Sequence, residues 1–96
     1  MRYDFEWDTN KAVVNFQKHK VTFERATGVF RDPNAISIPD EDHSADEERW
    51  VTIGIDQAGS VMVVVHTFVP LAADLCKIRV ISARKATQTE IQQLLG

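Results

Sequence analysis

Apolar and polar residues alternate singly from Arg2 to Trp7, with Tyr3, Phe5 and Trp7 set against Arg2, Asp4 and Glu6. A period of two places the aromatic rings on one side of an extended chain and predicts a short strand with one wet face. The period then lengthens. Asp8 is an N-cap residue type, and Ala12, Val13 and Phe16 follow it at helical spacing as far as about His19, while Lys11, Asn15 and Lys18 share another side of that helix. Thr22 opens a second helix, FERATGVF, with Phe23, Ala26, Val29 and Phe30 inward and Val21 placed as a staple. Asp32-Pro33 ends it, because the residue before a proline is driven out of helical space.

The pattern beyond Pro33 predicts an antiparallel four-strand meander over residues 35–38, 50–55, 61–68 and 77–82. The turn DQAGS closes one hairpin, and VMVVV, apolar on both parities, belongs at the centre of the sheet. VPLAADL reads as a looser connection. Thr87, with Glu90 three residues on, forms a capping box for a short last helix carrying Ile91, Leu94 and Leu95. The expected fold is therefore α+β: a short N-terminal strand, two helices, the meander and a short C-terminal helix, with helices on one sheet face. Residues 1–96 make one domain, since a chain of 96 residues builds a single core.

Composition changes this picture little, with 44% hydrophobic and 26% charged residues typical of a globular protein. The longest apolar stretch, VMVVVHTFVPLAA, is broken by His66, Thr67 and Pro70 and falls short of the about 20 residues a membrane span needs. MRYDFEWD carries acids where a signal peptide carries its apolar run. Cys76 is the only cysteine, which excludes an internal disulfide and favours a reducing compartment, so a cytoplasmic protein is expected.

Charge is more informative by place than in total. A net charge of -3 argues against coating nucleic acid by bulk attraction. Yet the acids Asp40, Glu41, Asp42, Asp46, Glu47 and Glu48 crowd one segment, and Lys77, Arg79, Arg84 and Lys85 crowd another that holds no acid from Leu75 to Thr89. Alternation directs Ile78 and Val80 to the core and Lys77 and Arg79 to the opposite face. A guanidinium fork matches phosphate oxygens, so the basic cluster suits an RNA or DNA backbone; it equally suits a solvated face or partners for the acidic segment.

His19, His43 and His66 are each able to move a proton near neutral pH, and each also has a plain structural use, at a helix end, in a loop and in the central strand respectively. PDEDHSADEERW lacks the glycine of a calcium loop and any zinc spacing, so a solvated acidic loop is expected and no metal. Cys76 lies among apolar neighbours and reads as a small buried hydrophobe. No nucleophile elbow, phosphate-cradling glycine loop or dinucleotide fingerprint occurs, and no cofactor is expected.

Three blocks, FEWDTNKAVVNFQKHKVTFERATGVF, DEDHSADEERWVTIG and IRVISARKATQTE, together resemble the BrnT family of toxins from bacterial type II toxin-antitoxin systems. The resemblance implies a RelE-like fold and an endoribonuclease that cleaves RNA without a metal or cofactor, so inhibiting translation and growth. It also implies neutralisation by a BrnA-like antitoxin, with RNA, free or ribosome-associated, as the other partner. The positions that match are Trp7, Asp8, Lys11, Asn15, Lys18 and His19, then His43, Glu48, Arg49, Arg79, Ser82, Arg84 and Lys85. The chain departs from the family pattern at Lys20, where a glycine usually follows the KH pair, in the longer connection VPLAADL, and in the tail QTEIQQLLG, which lacks the usual arginines and tyrosine.

Cleavage of this kind deprotonates a ribose 2′-hydroxyl, which attacks the neighbouring phosphorus, and protonates the departing 5′-oxygen. For this reaction Arg79 and Arg84 are expected to stabilise the phosphorane charge, and His19, Glu48 or His66, the last suggested by its place among the valines and not by the resemblance, to transfer the protons. Lys11, Lys18, Arg49, Lys77 and Lys85 hold RNA phosphates, and Trp7 either stacks a base or packs on the helices. Two other readings stand beside this one: a toxin-like module that binds an antitoxin or RNA without cutting, and a metal-binding module built on the acidic segment.

Overall fold

Helix boundaries in the computed structural model are set by short-range caps. The structure describes residues 1–43 and 47–95, with the side chains of His43, Leu94 and Leu95 outside the described set. After β1 (Arg2–Glu6), the Asp8 carboxylate accepts hydrogen bonds from the Asn10 and Lys11 amides and starts α1 (Thr9–His19). α1 ends at Lys20, whose φ of 60° and ψ of 30° are left-handed. Here lysine takes the conformation that glycine adopts without strain. Thr22 caps α2 (Phe23–Ala26) by accepting from the Arg25 amide, and the predicted second helix continues only as a 3-10 turn over Thr27–Arg31.

The strands β2 (Ile36–Pro39), β3 (Arg49–Ile55), β4 (Val61–Thr67), β5 (Val69–Ala72) and β6 (Leu75–Lys85) follow, with a 3-10 turn at Glu41–His43, and α3 (Gln88–Leu95) closes the chain. The expected capping box is formed: Glu90 donates its amide to the Thr87 hydroxyl and accepts from the Thr87 amide. At the hairpin between β3 and β4 the Asp56 carboxylate accepts from the Ala58 and Ser60 amides, and Gly59 supplies the φ of 87°. Arg25 Nε donates to Asp56 at 2.5 Å, tying this turn to α2.

The α+β class stands, but the four-strand meander is corrected to a mixed sheet of six strands among the described residues, in the order β1-β6-β4-β3-β2, with β5 also paired to β6. Two elements make the difference. VPLA, read as part of a connection, is strand β5, antiparallel to the start of β6. β1 lies parallel to β6, Tyr3 opposite Cys76 and Phe5 opposite Ile78, and a parallel pair needs a long crossover between its members. VMVVV is central, as β4 lies between β3 and β6.

One face of this sheet meets the helices. Val21, Phe23, Ala26 and Val29 pack on Met62, Val64, Ile78, Val80 and Ala83, with Tyr3, Phe5, Trp7, Ala12 and Phe30 around them. α1 departs from its expected orientation. Val13 is 51% exposed and Phe16 46%, whereas Asn15 is buried to 6%. The physical reason lies on β6, where the Asn15 amide meets backbone groups that an apolar side chain would leave unpaired.

Candidate functional site

β6 has two edges with different neighbours along its length. On one side β1 pairs with it only as far as Glu6 opposite Arg79, and the chain then turns away through Trp7 and Asp8 into α1. On the other side the register with β4 jumps from His66–Val80 to Val65–Ser82, so Ile81 is an extra, bulged residue. A bulge bends a strand and re-aims its side chains, and such features recur beside active sites. Beyond it, Asn15 takes the place of the missing β1 residue. Its Nδ2 donates to the Ala83 carbonyl at 2.9 Å and its Oδ1 accepts from the Ala83 amide at 3.1 Å.

Between α1 and the bulge lies a cavity of about 330 Å3, lined by Asn10, Lys11, Val14, Asn15, Lys18, His19, Ile81 and Ser82. It shares Lys11 and Ile81 with a second cavity of about 330 Å3 that adds Glu6, Trp7, Asp8 and Arg79. A third, of about 300 Å3, shares Glu6 and Arg79 with the second and reaches Glu47, Glu48 and Lys77. The three form one groove along β6, with His19, Lys18, Lys11, Arg79 and Lys77 distributed along it.

The two ends of the groove differ in charge state. Lys77 pairs with Glu6 at 3.5 Å and Arg79 with Glu47. No carboxylate among the described residues forms an ion pair with Lys11, Lys18 or His19. Lys18 and His19 also occupy the last turn of α1, where the helix dipole favours positive charge. The α1 end is thus the part of the groove that presents uncompensated cations beside a histidine and a hydroxyl. Among the described residues no three of His, Cys, Asp and Glu converge as metal ligands would, and Asp46 lies outside them.

A model of the ribonuclease toxin BrnT of type II toxin-antitoxin systems matches residues 7–90. The chain belongs to the BrnT family. The match spans α1, the bulged stretch of β6 and the capping box of α3, and membership implies an antitoxin partner. The crystal structure of the Brucella abortus ribonuclease toxin, BrnT, aligns with a TM-score of 0.63 and 24% identity over 92% of this chain and 100% of that one, so the two share a fold. No curated protein sequence matches the chain. None of the helices among the described residues is long and apolar enough to cross a membrane.

In this BrnT-family chain the groove gathers Lys11, Lys18, His19, Trp7, Arg79, Lys77 and Glu48 from the residues singled out in the sequence. Trp7 also packs edge-on against Phe23, with ring centroids 6.0 Å apart. Four residues lie elsewhere. His66 is 2% exposed inside the core, its ring 4.8 Å from that of Phe30, and is no group for meeting a substrate. Arg84 is held by both arms on Glu90 at the start of α3, Lys85 is exposed at the end of β6, and half-buried Arg49 opens β3 opposite Thr67. His43 has its side chain outside the described residues.

Asn15 and Ser82 entered the sequence reading as positions that match the family, with no role attached to either, and Ile81 only as an apolar strand position. Asn15 carried one weak signal: it is a poor helix former in a helix interior, between Lys11 and Lys18 on one face. The bulge at Ile81 carried none.

Proposed function

We propose that this chain is a toxin endoribonuclease that cleaves RNA at the α1 end of the groove, inhibiting translation and growth, and that a BrnA-like antitoxin neutralises it by covering that groove. The observation that carries this reading is the convergence of Lys11, Lys18, His19 and Ser82 on one open cavity. His19 moves a proton to or from the reacting ribose and leaving oxygens, and Lys11 and Lys18 stabilise the charge that builds on phosphorus. Arg79 and Lys77, farther along, hold flanking phosphates. Charge stabilisation, first given to Arg79 and Arg84, passes to Lys11 and Lys18, because Arg84 is engaged by Glu90 and Arg79 lies outside the His19 cavity. Of the proton-transfer candidates His19 keeps the role, since His66 lies in the core and Glu48 at the other end of the groove. No metal enters this scheme. A helical pair on one face of a small mixed sheet is also the kind of frame that a RelE-like ribonuclease uses.

A second reading has its own support: the internal pairing of Lys77 and Arg79 suits a module that binds an antitoxin or RNA without cutting. One experiment separates them. Purified wild type and His19→Ala are incubated with RNA, with and without ribosomes, and both are induced in cells with and without the neighbouring antitoxin gene. Cleavage and growth arrest by the wild type, reduced about 100-fold or more in His19→Ala at an unchanged thermal transition, supports the enzyme. Intact RNA and normal growth with the wild type support the binding module.

A further inference from the structure

β6 runs on for six residues after its last pairing with β1 at Arg79, and within that stretch the buried Ala83 offers both an amide and a carbonyl toward α1. In an ordinary sheet a neighbouring strand would take both. Here the carboxamide of Asn15 takes both, and its remaining Nδ2 hydrogen goes to the Val21 carbonyl at 3.2 Å. Three backbone contacts therefore converge on one side chain that is 6% exposed.

Those contacts anchor both walls of the cavity. Ala83 follows Ser82 directly, and Ser82 with the bulged Ile81 forms the β6 wall. Val21 lies two residues beyond His19, across the left-handed Lys20, so the bond to its carbonyl holds the chain just after the His19 turn. A side chain that lacks either the donor or the acceptor releases one wall from the other. Salt bridges do not substitute for it, since none among the described residues links α1 to β6.

We infer that Asn15 is the positioning residue of the cleavage site, fixing the bulged Ile81-Ser82 wall against the His19 end of α1 so that a bound nucleotide meets His19 and Lys18 in register. The inference rests on the ribonuclease reading above. Asn15 touches no reacting atom; it acts through the placement of Ser82 and His19. Misplacement of a reacting group by about 1 Å is enough to lower turnover about 100-fold, whereas flanking phosphate contacts along the groove tolerate it.

The test uses full-length Asn15→Ala and Asn15→Asp with a short RNA as substrate and its 2′-O-methyl form as the uncleavable probe of affinity. Asn15→Ala is expected to lower kcat about 10- to 100-fold while the Kd for the 2′-O-methyl RNA changes less than about threefold. Asn15→Asp keeps the shape, and its carboxyl both donates and accepts only when protonated, so its activity relative to wild type is expected to rise as pH falls, over a range in which circular dichroism shows both folded. A kcat for Asn15→Ala within twofold of wild type overturns the inference, as does an Asn15→Asp to wild-type ratio that is flat with pH. If Asn15→Ala fails to fold, the ratio decides alone. Wild-type protein that leaves RNA intact overturns the ribonuclease reading itself and this inference with it, a result distinct from an active wild type whose Asn15 variants are equally active.

Discussion

Arg84 holds Glu90 by both arms of its guanidinium, Nη1 to Oε1 and Nη2 to Oε2, each at 2.8 Å. Glu90 also accepts from the Thr87 amide, so one carboxylate joins β6 to the first turn of α3. A planar fork meeting a carboxylate in this way is the geometry in which an ion pair acts with definite orientation.

The pair gives stability a dependence on acid pH. Hydrogen bonds from Arg84 and then from the Thr87 amide lower the Glu90 pKa from 4.5 to about 2. A carboxylate whose pKa is depressed on folding contributes stability that is fully present above its unfolded value and is lost as pH falls through the folded one. The window is therefore from about 4.5 down to about 2. After allowance for the solvent that reaches Arg84, the contribution is about 1–2 kcal/mol. Urea denaturation from pH 6 to pH 2 should show Glu90→Gln less stable than wild type by that amount at pH 6 and level with it near pH 2. A difference that stays constant across the range would mean that the carboxylate's ionisation is not what stabilises α3.

The Arg79–Glu47 pair bears on function, because Glu47 occupies a base inside the groove. Both side chains are well exposed, and an ion pair of that kind contributes about 0.2–1 kcal/mol. A phosphate competing for Arg79 must displace the carboxylate first. Glu47→Gln should thus tighten RNA binding about two- to fivefold at low salt, an advantage that vanishes as salt screens the pair. Fluorescence anisotropy with 2′-O-methyl RNA at two salt concentrations measures it; unchanged or weaker binding would show that Glu47 does not compete with phosphate.

His66 makes a stability prediction and no catalytic one. Its Nδ1 lies 2.9 Å from the Thr67 carbonyl, which only accepts, so Nδ1 carries the proton. Nε2 of the neutral ring then accepts from the Thr52 hydroxyl at 2.6 Å, and Ser37 donates to Thr52 at 2.7 Å. Burial lowers the ring's pKa, with the Thr67 carbonyl opposing in part. A histidine depressed on folding stabilises above its unfolded value, about 6.5, and that contribution falls as pH drops below it. His66→Gln should flatten the slope of unfolding free energy against pH below 6.5 while leaving RNA cleavage per folded molecule unchanged. Loss of cleavage in a fully folded His66→Gln would return His66 to the reaction.

What the sequence made legible here is mostly what short range decides. The caps at Asp8, Thr22 and Thr87-Glu90 act over two or three residues, and each is formed by the atoms its pattern names. Lys20 turns left-handed where the family usually has glycine, a requirement of the chain's path after α1 and not of the residue. By contrast, the inward face of α1 was misjudged because Asn15 answers to Ala83, 68 positions away, and apolar spacing cannot report a hydrogen bond across that distance. β5 escaped because all four of its residues are exposed, so no alternation marks them. The basic cluster on β6 was visible as charge, but its division between a groove and a helix cap depends on Glu47, Glu6 and Glu90 arriving from other elements.

Lys20 supplies the last prediction. At φ 60° a side chain crowds its own backbone, a cost that glycine avoids, while glycine loses more conformational freedom on folding. The Lys20 ammonium also sits 5.9 Å from the centre of the Phe16 ring, an exposed cation-π contact of about 0.5 kcal/mol that glycine forfeits. Relief of about 1 kcal/mol of strain exceeds that loss. Lys20→Gly should therefore be neutral to stabilising by about 0.5 kcal/mol, and Lys20→Val, whose branched side chain tolerates this conformation worst, destabilising by 1 kcal/mol or more. Thermal unfolding of the two variants measures both; a Lys20→Gly that loses 1 kcal/mol would show that the ring contact outweighs the backbone at this helix end.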